Sequence, residues 1–423
     1  MNSRSRELSI NKVLLANKFF YLKGGDAKVF FDTADLLKQN GHTPVFFSME
    51  HPENFPSEFS PYFVSHIDFN GASKASQLKA FGRIIYSVEA KQRVNRLVGQ
   101  ERPDIAHLHN ICHQISPSIL DSLSKHSIPS VMTLHDYKLT CPAYTLLSGD
   151  GVCEECRDGK YYKVAQHKCT KQSFLKSTLS ALEMYIHHQL LHIYSKVDVF
   201  ISPSAFLKNK IQEMGFRGEV VHLPNFIDSA RFTPAFDNDG HTFIYLGRLS
   251  AEKGLLTLLK AVSELKGKFS LKIIGDGPLR EDLVAYTKDK KLSNIEFLGY
   301  MQPDAIKKEI AKAVFTVVPS EWYENNPMSV IESFALGKPV LGARIGGIPE
   351  LVRDGETGQT FEAGNADDLR EKILRLLSQP HEIDNMGRRA RAFVEEELNP
   401  DKHYDGLIAI YERAILKSKQ SRR

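Results

Sequence analysis

The sequence lacks a long apolar run. No window of its 423 residues approaches the about 18 consecutive apolar residues that a membrane-crossing helix needs. The opening segment MNSRSRELSINKVLLAN carries positive charge, but its apolar stretch is short and is typical of a strand, not of a secretion signal. We therefore expect a cytoplasmic protein.

Excess charge and cysteine are also scarce. A net charge of +4 is too small to favour nucleic acid as a partner. Five cysteines do not make a disulfide framework in a chain of this length. The Gly-x-Gly-x-x-Gly fingerprint of dinucleotide-binding folds is missing as well. What is left is a globular protein, long enough for two domains of about 200 residues each.

Apolar runs of strand length alternate with helical patterns in both halves of the chain. The predicted strands are KVLLAN, TPVFFSM, DIAHLHN, PSVMTLHD, VDVFISPS, TFIYLGRL, SLKIIGDG, NIEFLGY, VFTVVPS and KPVLGA. Near-continuous Val, Ile and Leu with helices between them indicate parallel sheets covered on both faces. We expect an α/β fold of two Rossmann-like, doubly wound domains that face each other across a cleft.

The polar stretch DSARFTPAFDNDGH separates the two halves. The predicted domains are residues 1–233, with a cysteine-rich insertion at about 141–169, and residues 234–400. A helix over 401–423 is predicted to pack back on the first domain. In doubly wound domains ligands bind outside the carboxyl ends of the strands, so the functional residues are expected just after strands.

The stretch SEWYENNPMSVIESFALGKPV follows one such strand. Asn326 is a suitable N-cap, with Pro327 in the first helical position. The amides of Met328, Ser329 and Val330 would then lack intrahelical partners. Such a first turn is an anion site by geometry and dipole.

Two carboxylates, Glu324 and Glu332, flank this turn. An anion site between two carboxylates suits a ligand with both phosphate and hydroxyl-bearing rings, as a nucleotide sugar has. The alternative is that Glu332 lies on an exposed helix face and Glu324 is an ordinary loop charge.

The stretch LGRLSAEKGL places Arg248 and Lys253 after the first strand of the second half. Two cations there can hold a diphosphate and offset the charge left when a glycosyl–phosphate bond breaks. No Asp-x-Asp stretch pairs with them, so no catalytic metal is expected. The alternative is a salt-bridged surface loop.

Together, GRLSAEKGL, IIGDGP, EFLGY, YENNPMSVIESFALGKPVL and GGIPELVRDGETG resemble the successive donor-domain signatures of glycosyltransferase family 4 (group 1). These are retaining enzymes of the glycosyltransferase-B fold. The resemblance implies transfer from a nucleoside-diphosphate sugar to a saccharide or lipid-linked glycan, in the synthesis of cell-surface polysaccharide such as lipopolysaccharide or capsule. ENNP stands where Glu-x-Phe-Gly/Pro is commoner, which leaves the donor sugar open.

The resemblance also implies roles for single residues. Arg248 and Lys253 resemble the diphosphate-binding pair, Glu324 the carboxylate near the transferred sugar, and Glu332 the one that binds the ribose. The donor-binding set that it implies is Gly24, Gly25, Tyr300, Asn325, Asn326, Met328, Ser329, Val330 and Glu332. The implied catalytic set is His135, Arg248, Lys253 and Glu324.

Three residues of the first half follow strands. His135, in TLHDYKLTCP, resembles the family's histidine by the reacting sugar, although a lone histidine is more often structural. His109 and Asn110, in HLHNICH, are expected to face the acceptor, with loop hydrogen bonding as the alternative.

Two rival functions stay open. A nucleotide-sugar epimerase would bind the donor equally but needs paired acid–base groups at the sugar, and none is evident. A non-catalytic glycan- or nucleotide-binding protein would not need the whole residue set.

Four cysteines, Cys141, Cys153, Cys156 and Cys169, are spaced C-x11-C-x2-C-x12-C. In a reducing compartment this spacing favours a structural zinc site over an iron–sulfur cluster, with His167 as a possible substitute ligand. The alternative is four unligated thiols.

The next segment, KQSFLKSTLSALEMYIHHQLLHIYSKVD, predicts an apolar helix near a group of lysines. These are Lys160, Lys163, Lys168, Lys171 and Lys176. Such a helix could rest on anionic lipid at the inner face of the cell membrane, or it could simply pack in the core.

Overall fold

A computed structural model describes residues 10–67, 81–149 and 151–420. It contains two six-stranded sheets, all parallel, with strand orders β2-β1-β3-β4-β7-β8 and β11-β10-β9-β12-β13-β14, and a small antiparallel hairpin, β5-β6. The predicted pair of Rossmann-like, doubly wound domains is thereby confirmed. No helix of the described ranges is long and apolar enough to cross a membrane.

The first sheet and its hairpin come from the first half of the chain. The strands are β1 Lys12–Ala16, β2 Thr43–Phe47, β3 Ile105–Leu108, β4 Ser130–Thr133, β5 Leu147–Ser148, β6 Gly151–Val152, β7 Val199–Ser202 and β8 Val220–His222. The helices are α1 Gly25–Gln39, α2 Val88–Glu101, α3 Ile119–Lys125, α4 Lys163–Gln166, α5 Phe174–Tyr185 and α6 Ala205–Glu213.

The second sheet repeats the pattern. Its strands are β9 Thr242–Leu246, β10 Ser270–Ile274, β11 Ile295–Gly299, β12 Phe315–Val318, β13 Val340–Ala343 and β14 Gly358–Phe361. The helices are α7 Leu255–Ser263, α8 Arg280–Asp289, α9 Pro303–Lys312, α10 Met328–Ala335, α11 Ile348–Leu351, α12 Ala366–Ser378, α13 Pro380–Glu397 and α14 Pro400–Gln420.

Each sheet is buried on both faces, as its apolar strands require. Strands β1, β3, β4, β7, β12 and β13 are buried along almost their whole length. Two separate apolar cores result, one for each sheet. Helix α1 ends as its sequence indicates, because Gly41 has a φ of +85°, which glycine adopts without strain.

The last helix returns to the first domain. Tyr411 on α14 is fully buried, and its hydroxyl bonds Nδ1 of His107 on β3 at 2.8 Å. Helix α14 also packs against β4 and β7. Residues 421–423 of the predicted terminal helix lie outside the described ranges.

The strand orders place one switch point in each sheet. In the first sheet the chain leaves β1 for β2 on one side and returns to β3 on the other; in the second it leaves β9 for β10 and returns to β12. The loops that follow β1, β3, β9 and β12 therefore border a crevice at the carboxyl edge of their sheet. These four loops carry most of the candidate residues.

Candidate functional site

The loops after β9 and β12 touch each other through a glycine. A Cβ atom on Gly254 would lie 1.8 Å from the carbonyl oxygen of Pro319, and Gly254 has a φ of +66°. Only glycine fits this contact and this backbone conformation. The close approach brings Lys253, the residue before Gly254, beside the loop that carries Glu324.

Lys253 and Glu324 form an ion pair, with Nζ 2.6 Å from Oε1. The hydroxyl of Ser320 donates to the same oxygen at 2.6 Å, and Glu324 is only 7% exposed. Burial alone would raise the pKa of Glu324, but Lys253 and the hydrogen bond from Ser320 bring it below its usual range. The carboxylate is therefore ionised at neutral pH, and the Lys253 ammonium has two further N–H groups to offer.

Helix α10 begins next to this pair. Its N-cap is Pro327, so the prediction of Asn326 as N-cap was wrong by one residue. The amide of Val330 donates to the carbonyl of Pro327 at 3.1 Å and is not free for a ligand, contrary to our expectation. Among the described residues, none accepts a hydrogen bond from the amides of Met328 and Ser329. These two remain the anion-binding donors of the turn.

Glu332 projects from the second turn of α10 towards the first domain. Burial raises the pKa of Glu332, and the charges nearest to it are those of Lys28, Asp32 and Lys307. Lys28 is paired with Asp32 at 2.7 Å, and no described residue donates a hydrogen bond to the Glu332 carboxylate. A sheltered carboxylate without a donor is suited to bind hydroxyls.

The paired glycines of the first domain face the start of α10. A Cβ atom on Gly25 would lie 3.7 Å from Cγ of Met328, and Gly24 has a φ of +91°. Asp26, the next residue, accepts a bond from Nδ2 of Asn110 at 3.3 Å. The predicted Gly24–Gly25 loop therefore lies across the cleft from the predicted anion site.

Two further donor-site candidates are exposed. Arg248 lies close enough to Tyr144 of the first domain to lower the pKa of that hydroxyl, although burial has the larger effect and raises it. Tyr300 follows β11 and is 75% exposed. Both side chains are free to meet a ligand, and their predicted roles stay predictions.

Asn325 and Asn326 are engaged by protein groups. Nδ2 of Asn325 donates to the carbonyl of Leu134 at 3.0 Å, and its Oδ1 accepts from the Ser204 hydroxyl at 2.7 Å. Oδ1 of Asn326 accepts from the amide of Asn225 at 3.1 Å. These contacts hold the loop to the first domain and the linker, so donor binding by their side chains finds no support in this geometry.

Three histidines stack at the carboxyl edge of the first sheet. The ring of His109 lies 4.4 Å from that of His107 and 5.3 Å from that of His135, and its Nδ1 is 3.0 Å from Nε2 of His135. Burial lowers the pKa of all three, to about 3 for His107. They are therefore neutral at pH 7, and His135 or His109 donates to the other.

His109 does not face the acceptor as we predicted. It is only 3% exposed, because it lies beneath His135 with its ring edge against Phe30. Its hydrogen bond orients the His135 ring, which is partly exposed in the cleft together with Asn110. Sequence position after a strand could not distinguish the supporting histidine from the accessible one.

The four cysteines of the insertion are free thiols. Burial, and then the proximity of Cys141, Cys153 and Cys169, raises the pKa of Cys156 to about 12. Within the described ranges no three Cys, His, Asp or Glu side chains stand close enough together to hold a metal ion. His167 bonds Glu155 instead, at 3.1 Å. Zinc here stays a prediction.

Sequence reasoning missed residues that support the site. Ser320 bonds Glu324, and Tyr323 contacts the first domain through its hydroxyl and its carbonyl. A serine or tyrosine in a loop gives no distinctive pattern, and their partners are distant in sequence. Only the fold could identify them.

Comparison with known proteins gives relatives that match most or part of the chain. The chain is 26% identical over 336 residues to an uncharacterised glycosyltransferase of Methanocaldococcus jannaschii, covering 79% of this chain and 82% of that one. It is 23% identical to N-acetyl-alpha-D-glucosaminyl L-malate synthase of Bacillus anthracis, covering 92% and 93%. A lipopolysaccharide core biosynthesis glycosyltransferase of Rhizobium meliloti is 28% identical over 44% of this chain and 56% of its own.

Solved structures share the fold at low identity. Sucrose-phosphate synthase from Thermosynechococcus elongatus matches with a TM-score of 0.72 and 18% identity, over 95% of this chain and 98% of that one. HepE from Anabaena, in complex with UDP and glucose, matches with a TM-score of 0.66 and 14% identity, over 95% and 99%.

Two family models cover nearly the whole chain between them. The model for "Glycosyltransferase Family 4" matches residues 23–231, and the model for "Glycosyl transferases group 1" matches residues 226–393. The first match covers the strands of the first sheet except β1, and the second covers all six strands of the second sheet. With these two matches, the relatives and the shared architecture, the chain belongs to the group 1 glycosyltransferases of the glycosyltransferase-B fold.

Proposed function

We propose that this glycosyltransferase moves a sugar from a nucleoside diphosphate to a hydroxyl of a saccharide or lipid-linked glycan, with retention at the anomeric carbon, in cell-surface polysaccharide synthesis. The observation that carries the proposal is the Lys253–Glu324 pair, held at the β9/β12 switch point directly beside the first turn of α10. A relative named for lipopolysaccharide core biosynthesis supports the pathway class.

The donor would lie along the edge of the second sheet. Arg248, Lys253 and the amides of Met328 and Ser329 supply positive charge and N–H groups for the diphosphate. The unpartnered carboxylate of Glu332 would accept bonds from the ribose hydroxyls, and exposed Tyr300 would lie by the base. The UDP complex of HepE supports a nucleoside-diphosphate donor.

The transfer would take place between the two sheets. As the glycosyl–phosphate bond breaks, negative charge grows on the leaving diphosphate, and Arg248 and Lys253 stabilise it. The acceptor hydroxyl attacks from the same face and passes its proton to a phosphate oxygen. Neutral His135 would orient the sugar by hydrogen bonding, and Glu324 would fix the Lys253 ammonium. This scheme uses no protein nucleophile and no divalent metal.

The acceptor would be reached at a membrane surface. Helix α5 and the turn after it expose apolar side chains to solvent: Phe174 is 62%, Leu175 68% and Leu190 72% exposed. Four lysines before α5 or in its first turn are exposed as well, namely Lys160, Lys168, Lys171 and Lys176. Exposed apolar residues and lysines on one segment are complementary to anionic lipid, where each cation contributes about 1 kcal/mol. We therefore expect peripheral binding to the inner face of the cell membrane.

Acceptor-dependent release of nucleoside diphosphate is the deciding experiment. Nucleotide sugars are first screened for thermal stabilisation of the protein. The best donor is then supplied with bacterial lipid extract or free saccharides, and the anomeric configuration of the product is determined. An epimerase would convert the donor without releasing diphosphate, and a mere binding protein would do neither; either result refutes the proposal.

A pelleting assay tests the membrane contact. Wild-type protein should sediment with vesicles containing phosphatidylglycerol and stay in solution with vesicles of phosphatidylcholine alone. Leu175→Glu should weaken sedimentation at least fivefold, whereas Leu256→Glu, at an exposed leucine of the second domain, should not. Equal sedimentation of the two variants would argue against this surface.

A further inference from the structure

The residues on both sides of Glu324 are held by the opposite domain. Asn325 spans the cleft through its amide, which contacts Leu134 and Ser204 of the first domain at 3.0 and 2.7 Å. Tyr323, on the other side of Glu324, also reaches into that domain. Glu324, which pairs with Lys253 of its own domain, thus lies between two residues that are bound to the first domain.

The groups around Tyr323 form a closed set, which we call the tyrosine socket: Tyr137, Glu154, Phe206 and Lys210. The Tyr323 hydroxyl donates to Oε1 of Glu154 at 2.8 Å, and its carbonyl accepts from the Tyr137 hydroxyl at 3.1 Å.

The remaining contacts close the socket around the ring. The ring of Phe206 lies 4.8 Å from that of Tyr323. Nζ of Lys210 is 2.8 Å from Glu154 and 5.4 Å from the centre of the Tyr323 ring. The Tyr323 side chain is therefore fixed by hydrogen bonds, ring packing and a cation together.

The socket belongs partly to the cysteine-rich insertion, which the proposed transfer mechanism does not use. Glu154 lies between Cys153 and Cys156, in the C-x2-C segment. Cys153 is tied back to the insertion by a bond from its amide to the carbonyl of Leu146 at 2.7 Å. The insertion is thus one of several parts of the first domain that reach the catalytic loop of the second.

We propose that the tyrosine socket positions the Glu324 loop, so that the Lys253–Glu324 pair is held in its working geometry only while Tyr323 occupies the socket. Glu154 is then a positioning residue, contributed by the insertion. This inference rests on the proposed transferase function, because it assigns the insertion a part in building that donor site when the two domains meet.

The loop is also held by its own domain and, through Asn326, by Asn225 of the linker. Its backbone is held at Glu324 by a bond from the amide of Gly347 at 2.7 Å, and Gly347 approaches so closely that a Cβ atom on it would lie 1.8 Å from the Asn325 carbonyl. These contacts fix how closely the loop packs on its own domain, while the side chains of Tyr323 and Asn325 fix its position relative to the first domain. A displacement of about 1 Å at a reacting group can cost about 100-fold in rate.

Two substitutions test the socket, and a neighbouring residue supplies the control. Tyr323→Phe removes only the hydroxyl, and Glu154→Ala removes its acceptor. Glu155→Ala is the matched control, because Glu155 bonds Lys163 and His167 within the insertion and is half exposed. Lys210 keeps a carboxylate partner, Glu213 at 2.8 Å, in every variant.

We expect Tyr323→Phe and Glu154→Ala each to lower kcat about 10- to 100-fold, with the melting temperature and the Kd for UDP nearly unchanged. The double variant should be no slower than the worse single one, because both remove the same bond. Glu155→Ala should behave as wild type. Wild-type kcat in the two socket variants, or a loss that merely follows a lowered melting temperature, would overturn the proposal.

Hydrogen exchange gives a readout that does not depend on turnover. Amides of residues 320–326 should exchange faster in Glu154→Ala than in wild type or Glu155→Ala. Unchanged exchange there would refute the socket even if the protein transferred sugar. Conversely, if wild-type protein released no nucleoside diphosphate from any donor, the transferase function would fail, and faster exchange in Glu154→Ala would still support the positioning contact.

Discussion

Replacing Lys253 by methionine should separate what this residue does for stability from what it does for turnover. Its ammonium lies 2.6 Å from the Glu324 carboxylate, which corresponds to a gross attraction of about 6 kcal/mol at an effective dielectric constant of about 20. Desolvation of both groups offsets much of this attraction. Breaking a buried pair by removing one partner typically costs about 3–5 kcal/mol.

We expect Lys253→Met to lower the free energy of unfolding by about 2–3 kcal/mol. This loss is at or below the lower end of the range for a buried pair, because 22% of the Lys253 side chain is exposed. The cost arises from the stranded Glu324 carboxylate. The double variant Lys253→Met/Glu324→Gln removes both charges and keeps the acceptor oxygen for Ser320. It should therefore regain stability to within about 1 kcal/mol of wild type, although it should stay inactive.

The chain contains its own probe for this experiment. Its single tryptophan, Trp322, lies in the same loop, with Nζ of Lys253 4.9 Å from its ring. Urea unfolding followed by Trp322 fluorescence gives the stability of the second domain, and release of nucleoside diphosphate gives turnover. Lys260→Met, at an exposed lysine of α7, is the control for loss of a surface charge.

Two results would refute the reasoning. If Lys253→Met unfolds at the same urea concentration as Lys260→Met, the pair does not stabilise the fold. If the double variant is as unstable as the single one, the loss comes from packing of the lysine stem and not from an unpaired carboxylate. Recovered turnover in the double variant would show that Lys253 does not contact the donor.

Three further predictions concern other groups. Glu332→Gln should raise the KM for the donor about tenfold with a smaller effect on kcat, because a ribose contact is made equally in the ground and transition states; an unchanged KM would exclude that contact. Burial lowers the pKa of His107 to about 3, and burial is also the main cause that lowers those of His188 and His403 to about 4. Unfolding between pH 6 and 4.5 therefore adds about 2.5 protons to these three side chains, so they alone should lower the free energy of unfolding by about 3 kcal/mol per pH unit; a flat profile in urea titrations would contradict this. Metal analysis of protein purified without chelator tests the zinc site predicted from the sequence: about one zinc per chain would support it, and clearly less would favour four free thiols.

The sequence was sufficient for all but two strands of the two sheets. Ten strands were predicted from apolar runs and all are present. The prediction missed β8 and β14, whose sequences are VVH and GQTF, and the two-residue strands of the hairpin. Strands β8 and β14 each form one edge of a sheet, where pairing on one side needs less apolar sequence.

The site was predictable where chemistry follows a strand directly. Arg248, Lys253, Glu324 and Glu332 lie at the carboxyl edge of the second sheet as expected. Burial was not predictable, because His109 and His135 follow neighbouring strands in the same way, yet one lies beneath the other. Contacts between domains were not predictable either: Tyr323 meets a partner 169 positions away in the chain, and no local pattern encodes that distance.

The return of α14 to the first domain affects how the protein is made on the ribosome. The buried Tyr411, bonded to His107, lies on a helix that leaves the ribosome only after the second domain. The second domain is then already outside the exit tunnel and able to fold, while the first still exposes the surface that α14 will cover. The first domain is thus synthesised first but completes its folding last. If translation stops before α14, the uncovered surface of the first domain stays exposed to proteolysis and aggregation.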